Sequence, residues 1–265
     1  MSNIVNYTAK YRNAAGEIHY SPEENQVWRD LIAQQTPNVQ EHCAAEYLNG
    51  LAKVNLPSDR VPQAGEISEI LLGLTGWKVE PVPALIGFEQ FFSMLAEKTF
   101  PAASFIRSRK DFDYIKEPDI FHEIFGHTPL LTDERFANFS HAIGKAGLRA
   151  GPKDYTWLIR LYWFSIEFGL TNEAGKIKAL GSGLASSPTE LTYSVSSDMA
   201  KRRAFNLLDI VRTPYRIDIH QPVYFVLDKM DDLVAMADRD LLADVRKAQS
   251  LGLFAPEYPA KARAS

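Results

Sequence analysis

Pro118-Asp119-Ile120-Phe121-His122-Glu123-Ile124-Phe125-Gly126-His127 is the stretch on which the reading of this chain turns. Two of the six histidines fall here, five residues apart among apolar neighbours. The spacing differs from the zincin pair, whose histidines at i and i+4 share one helical face. On an ideal helix an i+5 pair is separated by roughly 140°. Both rings therefore reach one metal only if the helix ends or distorts between them. Gly126 is suited to ending it, because glycine tolerates the backbone that terminates a helix. A buried helix end whose histidines satisfy their own hydrogen bonds gives the same pattern.

Downstream, Tyr162-Trp163-Phe164-Ser165-Ile166-Glu167-Phe168-Gly169-Leu170 places a carboxylate inside an almost wholly apolar run. A buried carboxylate is costly unless paired, hydrogen-bonded or metal-bound. Arg160 would serve as an ion-pair partner, and a metal would serve as well. Two histidines and one carboxylate make a facial triad with open positions, a cradle suited to non-haem iron(II). Spacing alone does not select Glu167 from the 33 acidic residues.

Around these two runs the chain reads as mainly helical. Ser21-Pro22-Glu23-Glu24 opens a helix with an N-cap, a proline at the first helical position and a capping box. It should run to about Gln35, where Thr36-Pro37 restarts another helix carrying Cys43 and Tyr47. Leu56 to Gly65 reads as loop. Helices are expected over Ile67–Leu74, Phe88–Glu97, Pro118–Phe125, a stretch capped at Thr132-Asp133-Glu134 and running to Leu148, Asp154–Leu170, Met199–Val211, Met230–Ala237 and Leu241–Ala248. Short strands are expected over Trp77–Val82, Ala103–Arg107, Ile177–Leu180 and Val223–Leu227, without βαβ alternation. The fold class is mainly α with a few short strands.

Composition narrows the function. The 265 residues are 46% hydrophobic and 23% charged, ordinary for a globular protein, and suit a single domain. A net charge of -4 argues against a nucleic-acid partner, which needs a basic face. No run approaches the roughly 18 to 20 apolar residues that span a bilayer, and the start carries no basic segment followed by an apolar one. Cys43 is the only cysteine, so metal ligands must be histidines and carboxylates. A cytoplasmic protein without membrane contact is expected.

The two runs, taken together and in this order, resemble the paired motifs of the pterin-dependent aromatic amino acid hydroxylases. Phe105-Ile106-Arg107 upstream and Ile177-Lys178-Ala179, Gly181-Ser182-Gly183-Leu184 with Ser186-Ser187, and Gln221-Pro222-Val223-Tyr224 downstream add to the similarity. It is strongest over 81–226, and the chain is most similar to the short bacterial members. The resemblance implies one catalytic domain over 1–265, no regulatory domain and a monomer.

It also implies chemistry. His122, His127 and Glu167 would bind Fe(2+), with Asp119 orienting a ligand imidazole. Arg107 would grip the substrate carboxylate, a task for its bidentate fork, with Ser186 assisting and Glu190 supporting Ser186. Trp163 and Pro118 would wall the aromatic pocket. Phe91 would stack on a tetrahydropterin (tetrahydrobiopterin or a related pterin), with Glu123 and Tyr162 nearby. The partners implied are L-phenylalanine, O2 and the reduced pterin, with one oxygen atom passing to the ring and the other to the pterin. Members that act on tryptophan carry Phe where this chain has Trp163. Those that act on tyrosine carry an acid at the position aligned with Ile217, beside Asp218, so phenylalanine is favoured. Two departures stand out: Ile115-Lys116 replaces a Thr-Pro of the animal members, and the loop Ala84 to Phe88 matches the pterin loop only loosely. Two rivals follow from the bare residues. One is a zinc hydrolase with Glu123 as general base, against which the i+5 spacing speaks; the other is a helical binding protein without a metal.

Overall fold

The computed structural model describes residues 7–83 and 85–259. Ala84, in the expected pterin loop, lies outside the described residues. The capping box at Ser21 forms as the sequence dictates: Ser21 N–H donates to Glu24 at 2.7 Å, and Glu24 N–H donates back to Ser21 Oγ at 3.2 Å. The helix it opens, α1 (Pro22–His42), does not stop at Thr36-Pro37. Its buried stripe of Trp28, Leu31, Gln35 and Val39 continues through the proline, so packing outweighs the one backbone bond that proline removes. Tyr47 sits on a separate helix, α2 (Ala45–Val54).

Next come α3 (Ala64–Leu74), β1 (Lys78–Val82), α4 (Phe88–Ala96) and β2 (Thr99–Ala103). The strands β1 and β2 pair in parallel with α4 as crossover, a βαβ unit that the sequence reading did not contain. The strand expected over Ala103–Arg107 is displaced upstream onto β2. Pro101 weakens the strand pattern there, yet a proline is tolerated on an edge, and in a two-stranded sheet both strands are edges.

The remaining helices are α5 (Thr128–Leu131), α6 (Glu134–Arg149), α7 (Pro152–Tyr162), α8 (Ser182–Ala185), α9 (Pro188–Ser196), α10 (Leu207–Arg212), α11 (Asp231–Ala237) and α12 (Leu241–Leu251). A four-stranded sheet in the order β4 (Lys176–Ala179), β3 (Leu170–Glu173), β6 (Val223–Leu227), β5 (Lys201–Ala204) lies among them. The helix expected over Met199–Val211 is β5 followed by α10. Lys201, Arg202 and Arg203 read as helix formers, but they form a charged edge strand, the usual protection for an open sheet edge. One contiguous hydrophobic core runs from Ile18 to Ala248. Among the described residues, no helix is long and apolar enough to cross a membrane.

Two π-helical turns interrupt this framework, at His122–His127 and at Trp163–Glu167. They fall on the two runs singled out in the sequence.

Candidate active site

The i+5 histidines meet because the backbone between them is a π turn. An i→i+5 ladder takes about five residues to return to the same face, so His122 and His127 face one another, with Nε2 atoms 3.2 Å apart. Gly126 does not end the helix: its φ is not positive, and the helix continues into α5. Its lack of a side chain serves a close approach instead. A Cβ on Gly126 would stand 2.7 Å from the Ser182 carbonyl oxygen. The Tyr47 hydroxyl donates to the Phe125 carbonyl at 2.6 Å, satisfying a backbone acceptor of the turn.

The second π turn closes with a bond from Phe168 N–H to the Trp163 carbonyl at 2.9 Å. Glu167 thereby comes under the histidine pair. Its Oε1 is 3.1 Å from His127 Nε2, and its Oε2 is 3.7 Å from His122 Nε2. Ser182 Oγ adds a bond to Oε2 at 3.3 Å. Burial would raise the Glu167 carboxyl, but the two imidazoles and Ser182 draw it down to about 2. Arg160 is not its partner; that guanidinium lies over Trp157 at 5.0 Å.

Glu123 borders the same space, with Oε2 3.9 Å from His127 Nε2. One ligand atom each from His122, Glu123 and His127 fits within 4.8 Å. Glu167 is the stronger candidate for a third ligand, since its oxygens approach both rings more closely. Burial, with Glu167 and Asp119 nearby, pushes the Glu123 carboxyl well above its usual range.

The tautomer of His122 is set from behind. Its Nδ1 lies 2.8 Å from Ser186 Oγ, which itself donates to the Ser182 carbonyl at 3.1 Å. With the hydroxyl proton so used, Nδ1–H donates to Ser186 and the Nε2 lone pair points into the site. Burial, followed by the opposing pull of Glu167 and the push of His127, lowers the His122 pKa to about 4. Two imidazole nitrogens and a carboxylate within contact of one another form a donor set that fits an iron(II) ion. Phe100, which the sequence reading missed, packs against the His127 ring at 4.6 Å.

Asp119 does not orient an imidazole. Its carboxylate accepts from Arg107 N–H, Nε and Nη2, all at 2.9 Å, and from the His122 backbone N–H at 3.1 Å. The imidazole contact belongs to Ser186. The Arg107 Nη1 donates to the Phe112 carbonyl at 3.3 Å. Three of the guanidinium's five N–H groups are thus engaged, and two remain for a ligand. Buried Asp119 keeps Arg107 charged, and the Arg107 guanidinium holds the buried Asp119 carboxyl below its ordinary range.

Glu190 does not support Ser186. It accepts from Gln221 N–H at 2.7 Å and from the Tyr224 hydroxyl at 2.8 Å, and so anchors the loop after α10. That loop supplies Tyr215, whose ring stacks on Trp163 at 4.4 Å, an aromatic wall that sequence reasoning did not find. In the same loop Ile217 is exposed, and Asp218 is held by a two-bond fork from Arg216. Pro118 is half-buried, just ahead of the first π turn. Phe91 stands edge-on to Tyr162 at 5.1 Å, and the Tyr162 hydroxyl lies 3.5 Å from His127 Nδ1. Of the three residues expected near the pterin, Tyr162 and Glu123 thus border His127, and Phe91 packs on the Tyr162 ring.

Residues 1–248 match the family model described as biopterin-dependent aromatic amino acid hydroxylase. The chain is 45% identical to the phenylalanine-4-hydroxylase of Vibrio cholerae serotype O1 over 97% of its length and 89% of the relative's. It is 48% identical to that of Pseudomonas aeruginosa over 96% and 97%. The apo structure of the cold active phenylalanine hydroxylase from Colwellia psychrerythraea 34H has a TM-score of 0.94 at 47% identity, covering 98% of this chain and 100% of that one. The Chromobacterium violaceum enzyme, solved with iron(III) and the oxidised cofactor 7,8-dihydrobiopterin, has a TM-score of 0.85 at 35% identity, covering 92% and 88%.

Proposed function

This chain belongs to the biopterin-dependent aromatic amino acid hydroxylases, and from that premise we propose that it converts L-phenylalanine and O2 to L-tyrosine, using iron(II) and a tetrahydropterin. The observation that carries the reading is the convergence of His122 Nε2, His127 Nε2 and the Glu167 carboxylate, delivered by two π turns. These three would hold the iron. When bound, the metal with the reduced pterin supplies the oxygen activation that no side chain provides.

The chain's own residues would bind and orient. Arg107 would take the substrate carboxylate on its two unengaged N–H groups, held in place by Asp119. Trp163, backed by Tyr215, would receive the ring, with Pro118 beside it. Phe91 would face the pterin, near Tyr162 and Glu123. Ser186 fixes the His122 ring, and Glu190 fixes the loop behind the aromatic wall. The four relatives named above are phenylalanine hydroxylases, and Trp163 and Ile217 favour the same ring. We place the enzyme in the cytoplasm as a single-domain monomer, in keeping with one continuous core and a buried, unpaired Cys43.

Oxygen uptake by iron-loaded protein tests the reading. It should require both phenylalanine and a tetrahydropterin and yield tyrosine. His122→Ala or His127→Ala should remove the iron, read by metal analysis. Full iron occupancy in either variant, or uptake without phenylalanine that is fully coupled to pterin oxidation, would overturn it.

A further inference from the structure

The segment that presents Arg107 is buried at Phe105, Ile106 and Arg107 yet borders an open space. A cavity of about 450 Å3 lies against Phe105 to Arg109, with Val27 of α1 among its walls. The stretch 7–10 crosses it. The Tyr7 ring lies flat on Phe105, with centroids 4.7 Å apart and planes 11° from parallel. The Tyr7 hydroxyl donates to the Asp111 carboxylate and accepts the Ser108 backbone N–H at 3.2 Å. Ser108 Oγ joins the same carboxylate at 3.2 Å. Upstream, Lys10 N–H donates to Ser104 Oγ at 2.9 Å, and the Tyr20 hydroxyl donates to the Ser104 carbonyl at 3.0 Å. Positions 104, 105, 108 and 111 are thus pinned on both sides of Arg107. The next residue along, Phe112, provides the carbonyl that receives Arg107 Nη1. Asp119 fixes the inner edge of the guanidinium; the Tyr7 cluster fixes the loop that meets its other side.

We infer that Tyr7 is a positioning residue for the amino acid substrate, clamping the 105–112 segment through Phe105, Ser108 and Asp111 so that Arg107 meets the substrate carboxylate in register. The inference rests on the proposed role of Arg107. A guanidinium that must make two parallel bonds is sensitive to displacement, because both bonds depend on one relative orientation of the two planar groups.

The test uses iron-loaded enzyme and four variants: Tyr7→Phe, Asp111→Asn, their combination, and Arg107→Lys. Phenylalanine affinity is measured by calorimetry, alongside the KM for phenylalanine, the KM for the pterin, and kcat. Tyr7→Phe keeps the ring stack and removes only the hydroxyl. It should raise the KM and Kd for phenylalanine roughly three- to tenfold, the size of the net contribution of one ordinary hydrogen bond. The pterin KM and kcat should stay within about twofold, and the double variant should be no worse than either single one. Arg107→Lys should raise the phenylalanine KM far more. If it does and Tyr7→Phe leaves KM and Kd unchanged, the clamp is refuted while the role of Arg107 stands. If Arg107→Lys leaves KM unchanged, the carboxylate role and the clamp built on it both fall. A lower melting temperature or kcat with no change in phenylalanine affinity would make Tyr7 merely structural and refute the inference. Asp111→Asn carries the same expectation independently.

Discussion

Replacing Asp119 with asparagine probes the joint between the substrate arginine and the metal-binding turn. The carboxylate is fully buried and accepts four hydrogen bonds, two at each oxygen. An asparagine keeps one acceptor oxygen. If that oxygen takes the Oδ2 position, it retains Arg107 N–H and Nε, and its amide then faces Arg107 Nη2 and the His122 N–H as donor against donor. The flipped amide loses the other pair. Two buried donors are stranded either way, at about 1–3 kcal/mol each, and Arg107 loses its counter-charge. Breaking a buried ion pair on one side costs roughly 3–5 kcal/mol. These costs overlap, so about 3–5 kcal/mol is expected in all, which lowers the melting temperature of a chain this size by roughly 6–20 °C. Calorimetry on the metal-free protein reads that shift. The KM for phenylalanine should rise along with it, because the Arg107 fork is no longer held. A melting temperature within about 2 °C of wild type, together with an unchanged KM, would show that Asp119 does not carry this joint.

Trp163→Phe should shift the ratio of kcat/KM values toward tryptophan by about 10- to 200-fold, the range for one packing change in an apolar pocket; an unchanged ratio would leave Trp163 as core alone. The metal-free protein should lose stability as pH falls from roughly 6.5, where His122 of the unfolded chain begins to bind a proton, toward the folded value of about 4. The sign follows because the unfolded state binds more protons across that window, and denaturant midpoints that stay flat from pH 7 to 4 would contradict it. Sedimentation of the purified protein should give a single species of monomer mass, and a tetramer would remove that part of the proposal.

Much of the site was legible because its chemistry is expensive to leave unexplained. A carboxylate in an apolar helix and two histidines near a glycine each called for a partner, and the three came together. The route was not legible. An i+5 pair can be joined by a helix end or by a π turn, and the choice rests on tertiary partners: Tyr47 taking the Phe125 carbonyl, and Ser182 pressing on Gly126. The expectation for Asp119 failed for a related reason. Sequence distance put it beside His122, and it does touch that residue, but at the backbone; its charge goes to Arg107, twelve positions away. Ser186 and Glu190 were found as residues, but their observed partners, the His122 ring for one and Gln221 and Tyr224 for the other, lie across loops whose paths no periodicity encodes. In the fold, β5 was hidden by its own protection: Lys201, Arg202 and Arg203 guard an exposed edge and so show no alternation.

The Gly181-Ser182-Gly183 segment joins the two π turns into one unit. On one side its Ser182 carbonyl oxygen stands 2.7 Å from where a Cβ on Gly126 would be. On the other, a Cβ on Gly183 would come within 2.9 Å of Glu167 Oε2, and one on Gly181 would collide with the Glu167 carbonyl. Ser182 Oγ bonds the Ile166 carbonyl at 2.9 Å and reaches the Glu167 carboxylate. One helical turn further along, Ser186 bonds the Ser182 carbonyl and the His122 ring. All three candidate ligands therefore take their bearings from this short stretch: His122 through Ser186, His127 through the packing of Gly126, and Glu167 directly. Gathering three polar groups in a buried site costs their desolvation before any metal arrives, and a flexible loop would let them part. Glycines that admit backbone to within contact distance make the gathering rigid instead, since backbone cannot swing aside as a side chain can. The geometry for the metal is thus set by packing that precedes it, which places the specificity of the site in residues that never touch the ion.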